Sequence, residues 1–172
     1  MERLWTPWRK AFVESSADEA GDGGATAECF LDAAAADGDD AQRFVVYRGE
    51  RVFVLLNLYP YNNGHLLVAP YAHTGDLAAL EPATAAELMR VTQRGVAVLE
   101  QAYHPHGFNL GINLGRTAGA GLPDHLHVHV VPRWNGDTNF MPVVGETKVL
   151  PESLDQTYAR LRPLFAAPDA RP

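Results

Sequence analysis

"HLHVHVV", residues 125–131, places three of the chain's seven histidines within five positions, separated only by Leu and Val. Side chains on a strand alternate between faces. Read as a strand, the stretch sets His125, His127 and His129 on one face. Leu126, Val128 and Val130 take the other, the side that packs into a core. Successive imidazoles on one face lie about 6.5–7 Å apart at strand rise, too far for a direct hydrogen bond along the strand. That spacing suits one central imidazole attacking a group while its neighbours handle the surroundings. Three uses compete. One is a row of structural histidines. Another is zinc ligation by imidazoles at i and i+2. The third is nucleophilic catalysis, in which a ring nitrogen takes a phosphoryl or nucleotidyl group.

The flanks favour the third. "NLGRTAGAGLPD", 113–124, is a glycine-rich loop leading into the histidines. Such a loop lets backbone N–H groups approach and cradle phosphate oxygens. After the histidines comes "PRW" with Arg133 and Trp134. An arginine pairs with phosphate and an indole stacks on a purine.

Further out the periodicity sets the fold class. "FVVYRGERVFVLLNL", 44–58, reads as two strands joined at the turn "RGER", and "HLLVAP", 65–70, as a third after the turn "YNNG". Leu80, Thr84, Leu88, Val91, Gly95, Val98 and Ala102 recur every three or four residues and mark one face of a long helix. Thr84 with Glu87 offers a capping box, and Pro82 an earlier start. "GFNLGINL", 107–114, reads as a strand. Leu154, Tyr158, Leu161 and Phe165 mark a short final helix, begun by Pro151 and cut by Pro163. Strands, a long helix, more strands and a last helix make an α+β protein, an antiparallel sheet covered by helices.

With 172 residues the chain fits one folded domain, and its 47% apolar and 20% charged content is ordinary for a globular protein. The net charge of −7 opposes a nucleic-acid polymer as partner, while leaving room for a small polyphosphate in a locally positive pocket. Residues 14–42 hold nine Asp or Glu and no Lys or Arg, and are expected to be a solvated, partly disordered segment. They separate an N-terminal basic-aromatic arm with Trp5 and Trp8 from a body expected over 44–172. No apolar run reaches the about 18 residues a membrane span needs. No secretory signal pattern opens the chain, and Cys29 is its single cysteine, so a cytoplasmic location is expected.

The residues also resemble a family. "HLHVHVV" is similar to the signature of the histidine triad (HIT) superfamily, "VFVLLNLYPYNNGHLLVAP" (52–70) to its earlier strand pair, and "GFNLGINLGRTAGAG" to its phosphate loop. "LWTPWRKAFV" and "PRWNGDTNFMPV" resemble the actinobacterial-type diadenosine-tetraphosphate phosphorylases within it. The resemblance implies a HIT-like fold and roles residue by residue. His127 would attack the α-phosphorus. His125 would orient it, in part through its carbonyl, His129 would contact phosphate, and His65 would complete the cluster. Asn57 would bind ribose, Asn113 and the backbone at Gly121 the phosphates, and Trp134 the adenine. Leu55 and Leu67 would wall the base. The substrates implied are an adenine dinucleotide polyphosphate and inorganic phosphate, with water as the alternative acceptor. No cofactor is required, with Mg²⁺ at most accompanying the nucleotide. A homodimer or homotetramer is implied.

Two departures stand out. Many relatives carry a Ser or Thr in the loop before the triad, where this chain has "AGAGLPD", so backbone N–H groups or Thr117 would take over. Many bacterial relatives also carry a Cys-x-x-Cys zinc site near the N-terminus. Here Cys29 is followed by Asp32 in "CFLD". The expectation is a lost site with His73 as a surface histidine, and hence no metal; a Cys29, Asp32, His73, His125 site is the alternative.

Overall fold

A computed structural model of the protein describes residues 29–36, 38–138, 140–145 and 149–167. The Trp5–Trp8 arm and residues 14–28 of the acidic segment lie outside the described residues. Strands β1 (Val45–Arg48), β2 (Val52–Leu56), β3 (Leu66–Pro70), β4 (Gly107–Ile112) and β5 (Val128–Arg133) form one sheet in the order β1-β2-β3-β5-β4. Every neighbouring pair is antiparallel. The helices are α1 (Phe30–Ala35), α2 (Pro82–Tyr103), α3 (Met141–Val144) and α4 (Leu154–Ala166). The α+β expectation holds. The described residues from 29 to 135 and from 150 to 167 form one compact unit, and α3 belongs to another.

Both faces of the central strands are buried, and so β2 and β3 read as unbroken apolar runs rather than alternating ones. On one face Val54, Leu56, Leu66, Val68, Val128 and Val130 pack under α2 and α4, through Leu88, Val91, Leu99, Leu161 and Phe165. Gly95 carries no side chain where α2 comes near Leu66, to which an added Cβ would lie at 3.5 Å. On the other face Leu31 and Ala34 of α1 cover Phe53, Leu55, Leu67 and Ala69.

Four expectations are corrected here. The acidic segment is not solvent-exposed throughout, because α1 lies inside it. Leu31 there is fully buried, and the Arg48 guanidinium donates to the carbonyls of Ala34, Ala35 and Ala36 at the helix end. The folded body therefore starts before residue 44. Of the two starts the sequence offers for α2, Pro82 is the one used and the Thr84–Glu87 pair is not; the Glu87 carboxylate accepts instead from the N–H groups of Glu50 and Arg51, holding the β1–β2 turn. Helix α4 begins after Ser153, which forms a capping box with Gln156, and not at Pro151. It runs through Pro163 to Ala166. Proline forfeits one helical bond, but the burial of Leu161 and Phe165 holds the last turn, and Arg94 donates to the carbonyls of Phe165 and Ala167.

Candidate active site

The site lies where β3 and β5 begin and end beside each other. Leu67 of β3 pairs with His129 of β5, and Gly111 of β4 pairs with His129 from the other side. His125 and His127 precede the regular strand. The Leu126 N–H, which donates to the Thr74 carbonyl at 2.7 Å, anchors them. Leu126, Val128 and Val130 face the main core, so the alternation read from the sequence holds.

A chain of hydrogen bonds then assigns every ring proton, because some partners can only donate or only accept. His127 Nδ1 lies 2.8 Å from the His125 carbonyl and must carry the proton. Its Nε2 is left with a lone pair. The Tyr61 N–H donates to His65 Nδ1 at 3.1 Å, so the His65 proton sits on Nε2. That proton meets His129 Nδ1 at 3.0 Å, which leaves His129 with an Nε2–H donor. The His127 and His129 rings stand edge to face with centroids 4.9 Å apart.

Burial keeps these rings neutral. Burial, followed by the nearby His129 and His127, pushes His65 down to about 3. Burial and then His127 push His129 down to about 4. Burial also lowers His127. Near neutral pH the site thus presents a bare nucleophilic nitrogen beside an N–H donor, with no base needed to deprotonate the nucleophile.

The structure brings His65, His127 and His129 together, with the His125 carbonyl behind His127. Asn57 adjoins them: its amide lies 3.3 Å from His65 Nδ1 and its Oδ1 accepts from the Tyr59 N–H. Asn113 donates to the Gly119 carbonyl at 3.3 Å and so shapes the glycine loop. Gly115 and Gly119 in that loop take φ of 77° and 88°, a conformation that favours glycine. Gly121 is exposed four residues before His125, and Thr117 is exposed in the short turn Arg116–Ala118.

Trp134 directly follows β5 and stands edge-on to Tyr103 of α2, with ring centroids 6.4 Å apart. Leu55 and Leu67 do not wall an open pocket, since α1 buries both. One neighbour went unread: the Tyr61 ring lies 4.7 Å from His65 and is nearly parallel to His129 at 6.0 Å. Its position four residues before His65 offered no periodic signal, because the intervening residues form a turn.

A second cluster adjoins the first. Cys29, Asp32, His73 and His125 each offer one ligand atom, all within 4.8 Å of one another. His73 Nδ1 lies 2.6 Å from Asp32 Oδ2, and His125 Nδ1 lies 3.2 Å from Asp32 Oδ1 and 3.4 Å from Cys29 Sγ. One sulfur, one carboxylate and two imidazoles at these separations fit a four-coordinate zinc-class ion. Asp32 stands where the family pattern has its second Cys, and His73 is part of the group rather than an isolated surface histidine.

Fold and site together define a protein of the histidine-cluster class, in which a buried, neutral imidazole, that of His127, keeps one ring nitrogen free. The chain belongs to the HIT domain family, which it matches over residues 39–136. It is 43% identical over 159 residues to the AP-4-A phosphorylase of Mycobacterium tuberculosis, covering 91% of this chain and 80% of that protein. It is 33% identical over 93 residues to the asymmetrical bis(5'-nucleosyl)-tetraphosphatase of Schizosaccharomyces pombe, covering 54% of this chain and 50% of that one. Among solved structures it resembles a Zn-bound histidine triad family protein from Mycobacterium smegmatis, with a TM-score of 0.64, 29% identity, and 81% and 94% of the two chains covered.

Proposed function

We propose that the chain is a nucleotidyltransferase that phosphorolyses diadenosine tetraphosphate. The observation that carries this reading is the His127 Nδ1–H held by the His125 carbonyl, which leaves Nε2 free to attack. In the first step Nε2 bonds to the α-phosphorus, the bond from that phosphorus to the bridging oxygen breaks, and ATP leaves. His127 then carries AMP. In the second step an oxygen of inorganic phosphate attacks the same phosphorus, the N–P bond breaks, and ADP forms. His129 Nε2–H and the backbone N–H groups near Gly121 donate to the phosphate oxygens, where charge builds in the transition state. Asn57 supports His65 and has amide valence left for a ribose hydroxyl.

The relative named AP-4-A phosphorylase supports phosphate as the acceptor. The relative named tetraphosphatase supports water, which would give AMP in place of ADP. One assay separates the two. Incubation with diadenosine tetraphosphate is expected to yield ATP and ADP only when phosphate is added. Equal turnover without phosphate, with AMP as co-product, makes the protein a hydrolase. Substrate recognition is set to small polyphosphates, since the net charge of −7 opposes a nucleic-acid polymer. No described helix is long and apolar enough to cross a membrane. A homodimer or homotetramer completes the reading. Cys29, Asp32, His73 and His125 would hold a zinc-class ion, which supplies rigidity beside the site; each step above runs on the chain's own groups.

A further inference from the structure

His125 belongs to two constellations at once. Its side chain is fully buried, and its Nε2 lies 2.9 Å from the Pro70 carbonyl, so Nε2 carries the proton. A ring that carries only that proton turns a bare Nδ1 toward Asp32 Oδ1 and Cys29 Sγ. Two lone pairs facing each other at 3.2 Å repel unless an electrophile sits between them. A thiol proton from Cys29 can satisfy Nδ1 but leaves Asp32 Oδ1 unmatched. An ion among all four groups satisfies every contact. The same residue's carbonyl, four bonds along, fixes the proton of His127. His125 thus joins the ligand group to the nucleophile with no intervening residue.

We propose that an ion held by Cys29, Asp32, His73 and His125 locks the His125 residue, and that this lock is what keeps His127 in its attacking tautomer. The ligand group is then a positioning device for the reaction, acting through His125. Asp32 and His73 are 42% and 47% exposed at their side chains, so one side of the group opens to solvent and its outer ligands can be changed without entering the core. The reading of the catalytic histidine is assumed only for the kinetic arm of the test.

Co²⁺ serves as the probe on the full chain. Dialysis is expected to leave one ion per chain, with the visible bands of a four-coordinate ion and a near-ultraviolet thiolate-to-cobalt band that Cys29→Ser removes. With Zn²⁺ bound, ¹⁵N spectra of labelled histidine are expected to show His127 as the single Nδ1–H tautomer. Removing the metal, or changing Asp32→Ala, is expected to bring both tautomers into exchange. Single-turnover formation of nucleotidyl-His127 should slow about 10-fold or more, with little change in KM. Asp32→Cys should keep the ion, the fixed tautomer and the rate. His73→Asn, at a more exposed position, repeats the Asp32→Ala outcome if that variant folds poorly. Absence of the thiolate band in the wild-type chain overturns the ligand group. A bound ion whose removal leaves the His127 resonances unchanged overturns the coupling. The tautomer is read without turnover, so loss of the proposed phosphorylase activity alone leaves this test standing.

Discussion

The proton on His127 has one available home among its contacts: Nδ1 lies 2.8 Å from the His125 carbonyl, and a carbonyl cannot donate. From that contact follows the division of labour at the residue scale. His127→Ala is expected to cut kcat on the order of 10³-fold or more and to abolish the acid-labile nucleotide adduct, while nucleotide binding persists; an intact adduct on the variant would move the nucleophile elsewhere. His129→Ala, which deletes one donor to the phosphate, is expected to cost on the order of 10² in kcat with KM little changed, measured by steady-state kinetics. The spacing of the histidines, and their common face, were legible from alternation alone. The tautomers were not. They depend on Pro70, Tyr61, His65 and the His125 carbonyl itself; Pro70 lies 55 residues from His125, and His65 lies 64 residues from the His129 ring it orients.

Among the elements, the approach to the histidines is held as tightly as the strand. Gly75 lies against the segment that enters the triad: a Cβ there would run into the Pro123 carbonyl and meet Asp124 Cα at 3.2 Å. Backbone cannot give way as a flexible side chain can. Gly75→Ala is expected to destabilise the fold by about 1–3 kcal/mol and to lower kcat by displacing His125, checked by urea unfolding together with kinetics. Unchanged stability and kcat would show that the segment yields. Helix α2 was readable because it buries a regular stripe, and strands β2 and β3 because each is a short unbroken apolar run bounded by turn residues. Helix α1 was hidden by its shortness and composition, since six residues, three of them Ala, bury only Leu31 and Ala34. Proline misled in α4, where tertiary burial of Phe165 outweighs one lost hydrogen bond.

The folded molecule as a whole stores neutral imidazoles, and this has a pH signature. An unfolded histidine takes its proton near 6.5. Folded His65 does so at about 3 and His129 at about 4. Between those values the unfolded chain binds more protons, so it gains on the native state as the pH falls. Stability is expected to be full above pH 6.5 and to drop by about 1.4 kcal/mol per pH unit for each of the two rings below it. Urea midpoints at pH 7.5, 6 and 5 measure the slope, and a flat profile would mean the rings protonate within the fold. The sequence by itself determined the α+β class, the long helix, the face that His125, His127 and His129 share, and the family, because all of these rest on local period or motif. Tertiary structure alone decided where each proton sits and that Cys29, Asp32, His73 and His125 meet. Those outcomes depend on packing between segments tens of residues apart, whose distances no spacing along the chain encodes.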